Sequence, residues 1–266
     1  MDTVTIGGFA TIRATRDELA ALMVRDCLTN RKDGANRSKL VFYSNGQGIS
    51  LAGTDAPYAK AMSAADIVYA DGMSVVIASR LLTGLPLPER IATTDFIHNA
   101  AAASCKAGLS FFLLGGTEAQ NKMASAALRR QYPDLHIAGR HNGHDGLIEE
   151  RGDERLCAEI VESGADVLWV AMGKPKQELW CLRNRERLRG VGWVMACGGL
   201  FAFLGNEVSR APTWMQQWGL EWVYRLMQEP SRLAWRYMTT NPHAIYRMVR
   251  FSRQGRSEEA PSGSVL

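Results

Sequence analysis

Val167-Leu168-Trp169-Val170-Ala171-Met172-Gly173-Lys174-Pro175-Lys176-Gln177-Glu178-Leu179-Trp180 decides the fold. Five apolar residues run into a small-residue turn, and a proline then opens the amphipathic segment Lys176–Leu188. A continuous apolar run is what a strand buried on both faces requires. Pro175 suits the first turn of a helix, where its missing N–H is not needed. Strand, glycine turn and helix together form the repeating unit of a parallel sheet.

The same unit recurs on both sides of this stretch. Upstream lie Leu40–Tyr43 ending at Ser44-Asn45-Gly46, Ile67–Ala70 ending at Asp71-Gly72, Leu109–Leu114 ending at Gly115-Gly116, and Leu135–Ala138 ending at Gly139. Downstream, Val191–Cys197 ends at Gly198-Gly199. Glu118–Gln131 and Glu154–Ser163 supply further amphipathic helices. The pattern predicts an α/β, doubly wound, Rossmann-like and mostly parallel sheet, whose ligands bind beyond the carboxyl ends of the strands. Before the first unit, Val4–Ile6 and Phe9–Ile12 read as short β segments. Thr15 with Glu18 opens a helix to about Leu28 by a capping box, and Arg31–Ser38 reads as a loop.

Composition fits this architecture. The 266 residues are 46% hydrophobic and 22% charged, which excludes a disordered chain, a collagen-like repeat or a small disulfide scaffold. Five scattered cysteines with no C-x-x-C pair argue for a reducing, cytoplasmic setting. No basic n-region with an apolar stretch opens the chain, so no signal peptide is expected. The uncharged run Val191–Gly205 is broken by four glycines and too short to span a bilayer, which needs about 20 apolar residues.

Charge is unevenly placed. Residues 225–266 hold seven arginines against three glutamates, so their excess equals the whole chain's net charge of +4. Trp214, Trp218, Trp222, Tyr224, Trp235, Tyr237 and Tyr246 lie in and just before this region. The expected organisation is a core over 1–205, a basic and aromatic helical appendage over 206–251, and a disordered polar tail over 252–266. Arg225, Arg232 and Arg236 share one helical face if the helix tolerates Pro230. Arginine forks suit phosphate oxygens, and interleaved Trp and Tyr suit a membrane interface. A helix pair packed on the core by its aromatics, with a solvated arginine face, explains the same pattern.

Several strand-end residues can carry chemistry. Asp71 is placed as a general base, or as the N-cap of a helix starting near Ser74. Gly115-Gly116 and Gly198-Gly199 let a backbone approach a phosphate, or simply make strand-to-helix turns. Gly173, Gln177 and Glu178 lie beside the crevice with Lys174 and Lys176, as an anion site or an ordinary first turn. His141 and His144 read as a polar loop. No D-x-D and no H-x-x-x-H occurs, so no metal site is expected. A Rossmann oxidoreductase lacks its full glycine fingerprint here and leaves the basic tail idle. A membrane or nucleic-acid adaptor leaves Asp71 and Gln177 unexplained.

Asp71-Gly72, Pro88-Glu89-Arg90, Gly173-x-Pro175-x-Gln177-Glu178-x-Trp180, Arg210-Ala211-Pro212-x-Trp214 and Glu221-Trp222-x-Tyr224-Arg225-Leu226 occur in this order. Together they resemble the WecG/TagA/CpsF family of bacterial glycosyltransferases over about residues 4–245. The resemblance implies an inverting, metal-independent transferase with no cofactor. It would move a sugar from a UDP-sugar onto a polyprenyl-diphosphate-linked sugar, at the inner face of the cytoplasmic membrane and with no nucleic-acid partner. It implies Asp71 as the base. The substrate-binding candidates are Ser44, Asn45, Arg90, Gly115, Gly116, Gly173, Gln177, Glu178, Gly199 and Arg210. Arg225, Arg232 and Arg236 are the candidates for acceptor and membrane binding. Two departures from the family pattern stand out: Ser44 where Thr is frequent, and Thr93 where R-x-x-G-x-D has glycine. Removal of the chain from Arg210 onward is expected to abolish activity on a lipid acceptor.

Overall fold

A computed structural model describes residues 1–33, 37–143, 150–212, 214–215, 218 and 220–253. The chain opens with a hairpin of β1 (Thr3–Ile6) and β2 (Phe9–Ile12). Its two-residue turn, Gly7-Gly8, has positive φ at both positions, the backbone twist that a tight hairpin needs. Helix α1 (Arg16–Asp33) follows, with Thr15 and Glu18 bonded reciprocally as the capping box requires.

The core is a six-stranded sheet in the order β4-β3-β8-β7-β5-β6, and every pairing is parallel. Its strands are β3 (Lys39–Ser44), β4 (Ile67–Ala70), β5 (Ser110–Gly115), β6 (His136–His141), β7 (Val167–Ala171) and β8 (Trp193–Ala196). Between them run α2 (Gly46–Leu51), α3 (Ala56–Ser63), α4 (Met73–Leu82), α5 (Thr93–Ala107), α6 (Glu118–Gln131), α7 (Glu150–Glu162), α8 (Lys176–Asn184) and α9 (Leu200–Leu204). The strands β4, β5 and β7 are buried throughout, as their unbroken apolar runs demand.

The two ends of the sheet differ in chemistry. Carboxylates staple the amino ends. Asp66 accepts from the Leu40 N–H and from Arg185, and Asp166 accepts from the Ser110 N–H and from both prongs of Arg31. The carboxyl ends instead close in glycine and small-residue turns, which leaves that edge open to a ligand.

Three boundaries differ from the sequence expectation. Helix α1 runs on to Asp33, because Arg31 grips Asp166 and Asn30 donates to the Gly190 carbonyl. Strand β6 passes through Gly139 to His141, because its pairing with β5 continues to Leu114, and Gly139 sits inside the strand where the Phe112 ring fills the space a Cβ would take. After α9, α10 (Glu221–Gln228) stops and α11 (Pro230–Phe251) begins at Pro230, so Arg225 is on one helix and Arg236 on the next. Arg232 is also on α11, but its side chain lies outside the described residues, as do His144 and residues 254–266 of the expected tail.

Helix α11 packs on α2 and β1, with Ala244 and Met248 buried in the main core. Beyond it, Arg253 donates its N–H to the Thr5 carbonyl at 3.0 Å. No helix among the described residues is long and apolar enough to cross a membrane.

Candidate active site

The ends of β3 and β4 form the first half of the site. The N–H groups of Asp71 and Gly72 both donate to the Ser44 carbonyl, at 3.0 and 3.2 Å, and hold the two strand ends together. Gly72 lies so close to Asn45 that a Cβ on it would stand 2.9 Å from the Asn45 Cβ. Asn45 caps α2 through its Oδ1, which accepts the Gly48 N–H at 3.0 Å. Its Nδ2 donates to Asp71 Oδ2 at 3.4 Å. Ser44 is fully buried, and its hydroxyl has no hydrogen-bond partner among the described residues.

Asp71 does cap a helix, but not the one that follows it. Helix α4 starts after Gly72 with no side-chain cap. The Asp71 carboxylate reaches α5 instead, which begins after Ala92 and has no cap of its own. Asp71 Oδ1 accepts the Thr93 N–H at 2.8 Å and the Thr93 hydroxyl at 3.0 Å. The carboxylate thus sits at the amino end of α5, where the first N–H groups of the helix lack partners within it. The Thr93 Oγ1 in turn lies 2.8 Å from the Tyr69 hydroxyl.

The second half is a cavity of about 700 Å³ at the ends of β5, β7 and β8. Gly116, Gly173, Lys176, Arg183, Gly198 and Gly199 are among its lining residues. A Cβ on Gly173 or Gly199 would meet nothing within 4 Å, so both present bare backbone to open space. Gly173 also has a φ of +73°, which side-chain-bearing residues rarely adopt. Gly115 shares a positive φ, +110°, and has no room besides: its Cβ would run into the Ala171 carbonyl of the neighbouring strand. Lys176 is exposed at the start of α8 and has no ion-pair partner among the described residues. A second cavity of about 720 Å³, lined by His98, Arg130, Phe203 and Arg210 among others, contains no strand-end glycine.

Gln177 and Glu178 are fully buried beneath this cavity. Gln177 Oε1 accepts the Gly198 N–H at 2.9 Å, and its Nε2 donates to Glu178 Oε1 at 2.9 Å. Lys174 turns inward. Its ammonium donates to the Tyr43 carbonyl, the Tyr58 hydroxyl and Glu178 at 3.0, 3.1 and 3.3 Å. A buried carboxylate needs a counter-charge, and Glu178 takes Lys174 for that purpose. Gln177 thereby fixes the Gly198-Gly199 turn, while Lys176 lines the cavity.

A ring of charges joins the core to α10. Arg90 pairs with Glu221 at 2.9 Å and approaches Asp95 at 3.9 Å. Arg210 pairs with Asp95 and lies 3.8 Å from Glu221. Both arginines are therefore brought together, each against carboxylates of α5 and α10. Arg225 lies over the Phe203 ring at 5.4 Å and Arg236 over Tyr237 at 5.4 Å, and neither has a carboxylate partner among the described residues.

No role for Thr93, Tyr69, Asp95 or Glu221 follows from the sequence alone. Thr93 is 22 residues from Asp71, and only the sheet brings them together. The one available signal was its departure from glycine in the R-x-x-G-x-D pattern. No group of three His, Cys, Asp or Glu residues among the described residues is arranged to hold a metal. Compared with known families, residues 4–258 match the model of the Glycosyl transferase WecG/TagA/CpsF family.

Proposed function

The chain belongs to the WecG/TagA/CpsF family of glycosyltransferases, and from that premise we propose its reaction. It transfers a sugar from a UDP-sugar to a polyprenyl-diphosphate-linked sugar, with inversion and without a metal, at the inner face of the cytoplasmic membrane. The observation that carries this reading is Asp71, a carboxylate at a strand end with one oxygen bound by Thr93 and the other turned toward Asn45.

The chemistry follows from the parts. Asp71 takes the proton of the acceptor hydroxyl as its oxygen attacks the anomeric carbon. The bond from that carbon to the diphosphate oxygen breaks, and UDP leaves with the electron pair. The growing negative charge needs fixed positive groups and backbone dipoles. Lys176, the amino end of α8 and the bare backbone of Gly173 and Gly199 supply them on the cavity side. Arg225 and Arg236, which have no carboxylate partner among the described residues, suit the acceptor's diphosphate. Trp235, Met238, Ile245 and Val249, exposed along α11, suit the lipid surface from which that acceptor comes.

The test is UDP release from a panel of UDP-sugars in EDTA, with a short polyprenyl-diphosphate-sugar acceptor added or withheld. Acceptor-dependent release in EDTA is the expected result, and release that requires an added divalent ion would refute metal independence. Asp71→Asn is expected to lower kcat by about 10²–10⁴-fold, the usual share of a general base, with the melting temperature little changed. Full activity in that variant would reject Asp71 as the base.

A further inference from the structure

We propose that Thr93 is a positioning residue for Asp71, acting through a hydroxyl line from Tyr69 that commits Oδ1 and leaves Oδ2 to take the proton. The inference rests on the reading of Asp71 as the base.

The hydrogen-bond count selects the oxygen. Asp71 Oδ1 accepts two bonds, at 2.8 and 3.0 Å, which fill its two lone-pair directions. Oδ2 accepts one, from Asn45 at 3.4 Å, a long and weak contact. An incoming hydroxyl therefore finds its free lone pair on Oδ2. The direction of the line is also fixed. The Thr93 proton goes to the carboxylate, which can only accept, so the hydrogen between Tyr69 and Thr93 comes from Tyr69.

The surroundings keep this line in place. Tyr69 is fully buried, and its ring packs against Phe96 of α5 and Tyr43 of β3 at centroid distances of 6.0 and 6.3 Å. Burial holds the Tyr69 hydroxyl well above its ordinary range of ionisation, so it remains a donor. Thr93 is itself buried and β-branched, and its side-chain torsion has little freedom. The backbone N–H of residue 93 survives any non-proline substitution. The hydroxyl is what this chain adds; Thr93→Val removes it with little change of shape, and Thr93→Ser keeps it.

The experiment compares Thr93→Val, Thr93→Ser and Tyr69→Phe with the parent at saturating UDP-sugar and acceptor. Loss of one hydrogen bond to a charged group should lower kcat roughly 10- to 100-fold in Thr93→Val, with donor KM within about two-fold. Thr93→Ser should restore most of that loss. Tyr69→Phe should lower kcat less, and it remains a readout if the valine variant fails to fold. The decisive arm is Thr93→Val in an Asp71→Asn background, where a residue acting only through Asp71 causes no further loss.

Unchanged kcat in both Thr93→Val and Tyr69→Phe overturns the inference. So does a loss of the same size in the Asp71→Asn background. If Asp71→Asn is itself fully active, the base reading has failed and this inference with it. If Asp71→Asn is inactive while the valine and phenylalanine variants are normal, only this inference has failed.

Discussion

At the residue scale, neighbouring glycines have different causes, and substitution separates them. Gly115 faces the Ala171 carbonyl, and a Cβ there has no room. Gly115→Ala should therefore push β5 and β7 apart and destabilise the protein by roughly 1–3 kcal/mol from overpacking, with backbone strain at its φ of +110° adding to that, read from its melting temperature. Gly199 has an ordinary φ of −84° and open space at its Cβ position. Gly199→Ala should leave the melting temperature unchanged and raise the KM for the proposed UDP-sugar severalfold, because the methyl group enters the cavity beside backbone proposed to meet that ligand. Unchanged KM in a folded Gly199→Ala variant would remove this turn from the binding surface. Both glycines stand in strand-end pairs, so the sequence identified the turns and their shared edge. It could not rank the members, because the steric cause at Gly115 lies on a strand more than fifty residues away. Asp71 carries the same lesson. Its local signals, a strand before it and a helix after it, were legible. Its actual partner at the head of α5 was not, because that contact depends on how the loop after α4 returns to the sheet.

At the element scale, the strands were legible because burial on both faces writes a continuous apolar run. Helix ends set by tertiary contacts were not. Asn30 and Arg31 extend α1 by bonding to residues far along the chain, and no local stop signal could reveal that. Pro230 was legible as a conditional break, and the structure takes the break, so α10 and α11 are separate helices held edge-to-face by Trp222 and Tyr237 at 5.8 Å. The charge ring and the Arg225 contact on Phe203 tie α10 to the core. The Arg90 and Glu221 side chains are only 12% and 15% exposed, so their attraction is weakly screened, and removing one leaves the other only its longer contact, Asp95 at 3.9 Å for Arg90 or Arg210 at 3.8 Å for Glu221. Glu221→Ala should loosen α10 and increase proteolytic cleavage between residues 212 and 229, while the sheet stays folded. In a double-mutant cycle with Arg90→Ala, the pair should show a coupling of about 1–3 kcal/mol. A coupling near zero would mean that α10 is held by its apolar contacts alone.

At the scale of the whole molecule, the basic surplus and the apolar exposure meet on α11. Trp235, Met238, Pro242, Ile245 and Val249 recur at intervals of three and four, and all are exposed, so they form one stripe along the helix. Leu233, Ala244 and Met248 are buried on its other side. The helix is therefore anchored through one face and bare on the other. Arg236 and Arg250 lie next to the stripe in sequence, and α4, which packs against α11, adds exposed Ile77 and Leu81. This arrangement changes the experiment that the sequence suggested. Removing the chain from Arg210 onward would strip Ala244 and Met248 out of the core as well as the exposed stripe, so loss of activity would not separate docking from unfolding. Substitution on the bare face does separate them. Trp235→Ser with Ile245→Ser removes two exposed side chains, and the melting temperature should not fall. If the stripe inserts into a lipid surface, each large apolar side chain contributes about 1.5–3 kcal/mol, so binding to vesicles containing anionic lipid should weaken by roughly 100-fold or more. Arg236→Ala with Arg250→Ala should weaken binding less, by about 1 kcal/mol per charge near an anionic surface, and only at low salt. Activity on a water-soluble acceptor should persist in the serine variant while activity on a vesicle-borne acceptor falls. Equal vesicle binding by the serine variant and the parent would show that α11 does not face the lipid, and equal loss on both acceptors would place the stripe in the chemistry instead of the docking.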